Sequence, residues 1–593
     1  MKNNCERTSF RLFEATFKQD LLLNREGPMK RGKLAVFVFT ILFALAAAVV
    51  GRSELGNRNF PFSVMVVMNE EEREIPCCDV WGEYYVFLPA YAQQADVRIR
   101  ANPVHDIYIG DQLLTEGTSC SQFPMNTSLD LFYYTADGEP DARVTFLHSE
   151  NVGTVYIDVR SGGMEYVHEK KGNETGGYIQ VYDADGTLWH QGTLESIRGR
   201  GNATWLWDKK PYNLTLGTPA GLLGMEAAQE WILLANAPDP SQLRNKLAYD
   251  LAAEAGLSYS PKCKWVDLYL NGEYRGLYLL TERNEIHPER IAVSDHSFLV
   301  SMELEYRLKE QNYPYIQTSR GTTLRIHQSG LAEQTVQQVW ESAENAIFAE
   351  DGIDPLTGKS WTELIDVDSW AKKYLLEEVL GNYDAASVSQ YFYYDEADGK
   401  LYAGPVWDMD NSMGISYWAN ETNIILAGRK HLWSEEDSGH YHALLQKEAF
   451  LERVRELYRQ NYQPALRRLC ETGLDGYVQQ ISTAEEMNRI LWQGESLEVT
   501  SEQIREYLKA RMSFLEAYLE NPEDYVHVYG WIPGNIWFCW AIRPGQTVDK
   551  LSEGDGYAWY NLETGAYYKP GTPIYENVTF QKRLVDDTER GTP

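Results

Sequence analysis

The spacing of apolar positions changes period along the chain, and each change marks a boundary. From about residue 54 to 160 the apolar positions alternate in short runs such as FSVMVVM, EYYVFL, DVRIRA, LDLFYY and RVTFLH, separated by Gly, Pro, Asn and Asp. A period of two in short runs predicts an antiparallel, β-sandwich-like module. It holds no catalytic constellation, so a spacer or binding role is expected. From about 165 to 520 the pattern is strand-like first and helical later, an α+β order. The early strands are YIQVYDADG, LESIRGRGN, KKPYNLTLG, WILLAN and WVDLYLNGEYRGLYLLTE, the last folded at an Asn271-Gly272 hairpin turn. Leu243, Leu247 and Leu251 recur every four residues before Gly256, and Val367, Ala371, Leu375 and Val379 before Gly381, which predicts two helices with glycine stops. Further helices are expected over roughly 440 to 472 and 478 to 520. After Pro522 the composition returns to aromatics, Gly and Pro, which predicts a small β module over 523–593.

One run breaks this alternation of modules. Within residues 1–53, a basic start at Met29 leads into seventeen uncharged residues, Leu34 to Val50, the form of a secretory signal or an uncleaved membrane anchor. Either reading puts Arg52 onward outside the cytoplasm, and the polar stretch before Met29 suggests Met29 as the start. At 593 residues the chain is too long for one core, and about three or four domains are expected. The formal net charge of −32 is dispersed along it, so phosphate backbones are repelled and nucleic acid is not an expected partner. Beyond Cys5, the cysteines (Cys77, Cys78, Cys120, Cys263, Cys470, Cys539) stand at no metal-binding spacing.

The candidate chemistry lies in the middle region. In order come a turn Arg198-Gly199-Arg200-Gly201-Asn202, a strand opening on Lys209-Lys210, a hairpin ending in Glu282, a loop with Asp384, a second hairpin turning at Ala397-Asp398-Gly399, and then Asp408 and Asp410. Phosphoryl transfer from a nucleotide needs cations for the phosphates, carboxylates for Mg²⁺ and a group that orients the attacking hydroxyl. The order matches a kinase's small lobe followed by its large lobe. Asp384 precedes one arm of the second hairpin and Asp408 follows the other, so both reach the same edge. Each piece also has a plainer reading: a D-x-D pair suits an exposed turn, a lone G-x-G a tight turn, Lys209 and Lys210 a solvated strand end, and Trp407 with Tyr391 to Tyr394 a core. His440 and His442 face apart on a helix and make a poor metal pair.

Taken together, IRGRGNATW, KKPYNL, WILLANAPDPSQLRNKLAYDLA, YLNGEYRGLYLLTE and NYDAASVSQYFYYDEADGKLYAGPVWDMDNSMG resemble the successive motifs of the CotH spore-coat kinase family, in order from about 190 to 415. The resemblance implies a two-lobed, atypical protein-kinase-like domain that uses ATP and Mg²⁺ or Mn²⁺ to phosphorylate Ser or Thr of extracytoplasmic proteins. It assigns the metal to Asp408, the metal or the hydroxyl to Asp384, and leaves Asp410 as a second ligand or a loop cap. It assigns phosphate to Lys210 or Lys209, the base or sugar of the nucleotide to Glu282, and a phosphate or structural part to Arg198 and Arg244. Where the family often carries an asparagine after the loop aspartate, this chain has Ser389 and Gln390. The segment AWYNLETGAYYKPGTPIYENVTF resembles small β-repeats of bacterial surface proteins.

Three functions compete: an extracytoplasmic protein kinase; a weak or inactive kinase-fold scaffold of a coat or cell surface, suggested by the flanking modules and by Ser389 and Gln390; and a glycoside hydrolase with paired carboxylates, which leaves the ordered Lys, Glu and Asp series unexplained.

Overall fold

The computed structural model describes residues 61–584 apart from 69, 102–105, 135, 137, 387, 417–419, 425–438, 533–535 and 553–556. The expected signal or anchor at 34–50, with Cys5, lies outside the described residues. Among the described residues no helix is long and apolar enough to cross a membrane, and no disulfide joins two cysteines.

Helix and sheet are mixed along the chain. The N-terminal strands form a three-stranded sheet around Phe62–Met68 and a six-stranded sheet. Alternation sets their inner face: Phe62, Val64 and Val66 are buried while the residues between them are partly open. The expected antiparallel order is broken where Glu83–Leu88 pairs in parallel with Ala142–His148. Their core also does not stop at its own sheets. It continues onto Tyr156, Tyr182, Tyr269 and Tyr274 of the next region, and the Tyr269 hydroxyl donates to Phe87 O at 3.0 Å.

That next region is a closed barrel of seven strands, with Gly153–Val159 pairing in parallel with Cys263–Leu270 to shut it. Closure removes the sheet edges that would otherwise be exposed. Val155, Ile157, Ile179, Leu194, Ile197, Leu214, Trp231 and Leu268 fill its interior. Asn271 and Gly272 both take positive φ, as a two-residue hairpin turn requires.

Helix α1 (Arg244–Glu254) leaves the barrel and packs with a five-stranded sheet that contains the second hairpin, Tyr391–Asp395 with Lys400–Ala403. Helices α2 (Glu333–Phe348) and α3 (Val367–Leu380) cover that sheet. The N-cap of α3 is Asp366, which accepts from Ser369 N at 2.8 Å, and its C-cap is Gly381 at φ 60°. The later helices differ from the sequence expectation. No break falls between 472 and 478: Gly473 is absorbed in a π segment, Leu469–Gly473, that runs on into α4 (Leu474–Trp492). The break comes at Gln493, in the left-handed region, before α5 (Leu497–Glu520). A C-terminal four-stranded sheet, with Ile536–Ile542 at one edge, packs over Val528, Trp540, Trp559 and Phe580.

Candidate functional site

A cleft of about 750 Å³ lies between the barrel and the five-stranded sheet. Its walls carry opposite charge, and each is built by a different local device.

The acidic wall belongs to the second hairpin. Phe392 pairs with Ala403, so the chain enters and leaves at one edge, and Asp384, Asp408 and Asp410 all line the cleft. The strand itself stops at Ala403, and the two charges lie five and seven residues beyond it, in the irregular segment that follows. Met409 is completely buried between the two aspartates, which remain partly open to the cleft. Asp408 sits at φ 61°, a left-handed conformation that Asp tolerates better than most residues. Its carboxylate accepts from Ser389 Oγ at 2.8 Å. The loop is fixed from three sides: Met409 N donates to Asn245 Oδ1 at 2.8 Å, Arg244 Nε donates to Ser412 O at 2.9 Å, and Met413 N donates to Leu380 O at 2.6 Å. Arg244 is itself buried in an ion pair with Asp239, so it shapes the loop instead of facing the cleft. Burial, together with the charges of Asp408, Asp384 and Asp239, pushes the Asp410 carboxyl well above its ordinary range. Among the described residues no three His, Cys, Asp or Glu side chains converge into a ready-made metal cage.

The basic residues come from the barrel, which faces the hairpin, and from the strand Thr323–Ser329, which belongs to the same five-stranded sheet as the hairpin. Arg198 and Arg200 flank Gly199, where a Cβ would come 2.4 Å from the Trp205 ring; Gly201 is at φ 79°, with Thr204 Oγ1 only 2.0 Å from the Cβ position. Both glycines are therefore steric requirements of the turn. The Arg200 guanidinium lies 5.2 Å from the Trp407 ring centre, and that of Arg325 3.6 Å from Tyr313. Among the described residues no carboxylate is within ion-pair distance of Arg198, Arg200 or Arg325, whereas Arg283 and Arg307 are paired with Glu230 and Glu303. Lys171, which donates to Gly201 O at 2.8 Å, has its ammonium pKa lowered by burial and by the charges of Arg200, Arg325 and Arg307. His327 is held neutral by burial and by Arg325 and Arg283. Each set repels itself, the carboxylates and the cations alike. An anion against the barrel and a cation against the hairpin would relieve both.

The residues singled out from the sequence divide accordingly. Arg198, Asp384, Asp408 and Asp410 meet in the cleft; Lys209, Lys210 and Glu282 do not line it. Lys209 is buried, donates to Leu277 O at 2.6 Å and Gln242 Oε1 at 3.2 Å, and has its pKa lowered to about 7 by burial. Lys210 donates to Trp205 O and Trp207 O at 2.9 and 2.8 Å, bracing the glycine turn from behind. Glu282 is turned inward, accepting from Tyr259 Oη and Lys262 N, both at 2.9 Å; Arg283 and Asn284, the next residues along, line the cleft instead. At the two departure positions, Ser389 faces the cleft and Gln390 is buried, donating to Glu377 Oε1 at 3.1 Å. Trp407 is buried and stacked on Tyr249, while also closing one side of the cleft. His440 bonds Glu344 at 2.8 Å among Trp340, Phe348 and Trp370, a core position. Residues passed over in the sequence are Arg200, Asn245 and Arg325. Arg200 stands inside the R-G-R-G-N motif and Asn245 inside WILLANAPDPSQLRNKLAYDLA, so both were legible there; nothing local marked Arg325.

A mixed α/β domain with carboxylates and guanidinium groups lining one cleft is the class of site that the fold defines. The chain belongs to the CotH kinase protein family, whose pattern matches residues 197–515, more than half of the chain. It is similar to the inner spore coat protein H of Bacillus subtilis (strain 168), 25% identical over 221 residues, 37% of this chain and 58% of that protein. The chain thus spans less than two thirds of that relative's length. A solved structure, the proinflammatory kinase CtkA of Helicobacter pylori, matches 52% of this chain and 94% of its own at 10% identity and a TM-score of 0.22, too low to bear on fold or activity.

Proposed function

We propose that the cleft of a two-lobed, kinase-like domain transfers the γ-phosphoryl group of ATP to Ser or Thr hydroxyls of extracytoplasmic proteins, those of a spore coat or cell surface. The observation that carries this reading is that one cleft is lined both by Asp384, Asp408 and Asp410 and by Arg198, Arg200 and Arg325. The donor set suits a hard divalent cation, because Mg²⁺ is commonly held by one or two carboxylates with the remaining places taken by water and phosphate oxygens. A full protein cage is not needed. Asp408, with Asp410 or Asp384, would hold Mg²⁺ or Mn²⁺, which would supply charge neutralisation for the phosphates. Arg198, Arg200 and Arg325 bind and orient the phosphates in place of Lys209 and Lys210, since guanidinium forks match phosphate geometry. Asp384 accepts the proton of the attacking hydroxyl or orients it. Ser389 holds the Asp408 carboxylate at its angle. The relative's name, with the leader-like run at 34–50, supports a place in a coat or at the surface.

The test is a thermal melt with ATP, with and without Mg²⁺, followed by transfer of labelled phosphate. Ligand that binds only the folded chain must raise the midpoint, and EDTA should abolish the rise. Wild-type protein that shows neither a rise nor transfer would overturn the reading. A second reading rests on the Ser389 and Gln390 positions: with Gln390 turned into the core, the loop offers one hydroxyl oxygen where the family often has an asparagine. On that reading the domain is a binding scaffold, and it would show the metal-dependent rise without transfer.

A further inference from the structure

Neither of the two acidic loops stands alone; both end against the same helix. Tyr507 and Arg511 lie one turn apart on α5, on the face turned towards α3 and the cleft loops. Tyr507 is wedged between two glycines. A Cβ at Gly381, the residue that stops α3 and opens the Asp384 turn, would stand 2.0 Å from Tyr507 Oη. A Cβ at Gly414, just after the Asp410 loop, would stand 2.7 Å from Tyr507 Cδ2. Both glycines are at positive φ, 60° and 77°. Arg511, itself only 1% exposed, spans the same two segments. It donates to Glu378 O through Nε at 2.8 Å and Nη2 at 2.6 Å, and its Nη1 donates to Glu421 O at 2.7 Å and Asn423 O at 2.5 Å. The edge strand of the C-terminal sheet completes the fastening. Ile424 N donates to Cys539 O and Ala541 N to Thr422 O, each at 2.9 Å.

We propose that α5 is a positioning brace that sets the separation of the Asp384 turn from the Asp408–Asp410 loop, with Tyr507 and Arg511 as positioning residues and the C-terminal sheet as its outer clamp. Neither side chain lines the cleft, so each acts through the loops it holds. The role in phosphoryl transfer rests on the kinase reading; the mechanical role does not. The buried guanidinium is bonded to the last turn of α3, through Glu378 O and an ion pair with the Glu378 carboxylate at 3.0 Å, and to the carbonyls of Glu421 and Asn423, so its donors are satisfied only while helix end and loop keep their places. The module after Pro522 is on this account part of the working domain, because the segment that leaves the acidic loop is paired to it.

The test compares the full chain with Tyr507→Ala, Arg511→Lys, Gly414→Ala and the Gly414→Ala/Tyr507→Ala double variant. Amide exchange is measured without nucleotide, and phosphate transfer in the steady state. Exchange at the Met413 and Ile424 amides should quicken in Tyr507→Ala and Arg511→Lys, with kcat down about ten- to a hundredfold and KM for ATP little changed, the mark of a lost geometry rather than lost binding. Gly414→Ala should lose activity too, and the double variant should lose less than the product of the separate losses, as neighbours in one contact do. Gly414 is exposed, so that variant keeps the test open should a buried substitution fail to fold. Active variants with wild-type exchange and kcat, or strictly multiplicative losses, overturn the brace. Wild-type protein that neither binds ATP nor transfers phosphate, while the two amides still loosen in the variants, overturns the kinase reading and leaves the brace standing.

Discussion

The acidic wall of the cleft is made of short side chains on loops, and the basic wall of long side chains on strands and a glycine turn. Asp408 and Asp410 are placed by backbone: Met409 N, Ser412 O and Met413 N are each bonded to a neighbouring element. Arg200 and Arg325 are placed by stacking on Trp407 and Tyr313, with several rotatable bonds between backbone and charge. The difference teaches what each wall can tolerate. A carboxylate only one methylene from the backbone must be aimed by its loop, whereas a guanidinium can adjust and needs chiefly its charge and a face to lie on.

The sharpest way to break this comparison is at Asp408. On the kinase reading Asp408→Ala should lower phosphate transfer by about a thousandfold or more, since it would remove electrostatic stabilisation at the reacting centre; radiolabel incorporation reads the outcome, and transfer at the wild-type rate would remove Asp408 from the site. On the basic wall the expected loss is smaller and graded. Arg200→Ala should weaken ATP about tenfold, and Arg200→Lys should recover part of that loss if charge outweighs geometry, as nucleotide titration by thermal shift would register. Equal losses for the two would mean that Arg200 is aimed as strictly as the aspartates.

Lys209 supplies the control, a cation beside the barrel that does not reach the cleft. Lys209→Met should leave ATP binding unaltered and cost about 1–3 kcal/mol, the order expected when buried acceptors such as Leu277 O and Gln242 Oε1 lose their donor. Its pH dependence has a definite sign. The folded pKa of about 7 lies below the ordinary 10.5, so between those values the unfolded chain binds the extra proton and wild-type stability rises with pH. Relative to wild type, the variant should therefore gain as pH is lowered from about 10 towards 7, in denaturant melts. Asp239, Asp267 and Glu485 are the acids that act on this ammonium. A gap between the two proteins that does not change over that window would contradict the burial of Lys209. The smallest effect is expected at Tyr507→Phe. The hydroxyl is buried without a hydrogen-bond partner among the described residues, so its removal should leave the melting midpoint level or slightly raised.

Much of the acidic wall was legible because its evidence is local. A hairpin returns its two ends to one edge whatever surrounds it, so Asp384 and Asp408 could be brought together from turn signals alone. The D-x-D parity was not of that kind: the strand ends at Ala403, and Met409 is buried with its neighbours partly open because the loop is bonded to Asn245 and Leu380. The barrel wall was harder. Lys209, Lys210 and Glu282 have the right chemistry at the right place in the order, yet which way a side chain at a strand end points depends on where the barrel closes. One residue of difference decides it: Glu282 faces inward and Arg283 lines the cleft. The helices show the same limit, since the break expected between 472 and 478 is absent and Gly473 is absorbed in a π segment.

By itself the sequence determined the period of each segment, the hairpin turns, the helix stops at Gly256 and Gly381, the order of ionisable residues and the family to which the chain belongs. All of these depend on neighbours within a few positions, or on the order of motifs. Only the tertiary structure decided which cations face the aspartates, that the N-terminal sheets share a core with the barrel, and that Tyr507, Arg511 and a distant edge strand hold the loops around the acidic site. Those outcomes follow from barrel closure and packing between elements far apart in sequence, such as Arg511 with Glu378 and Tyr269 with Phe87, and no local pattern records which faces will meet.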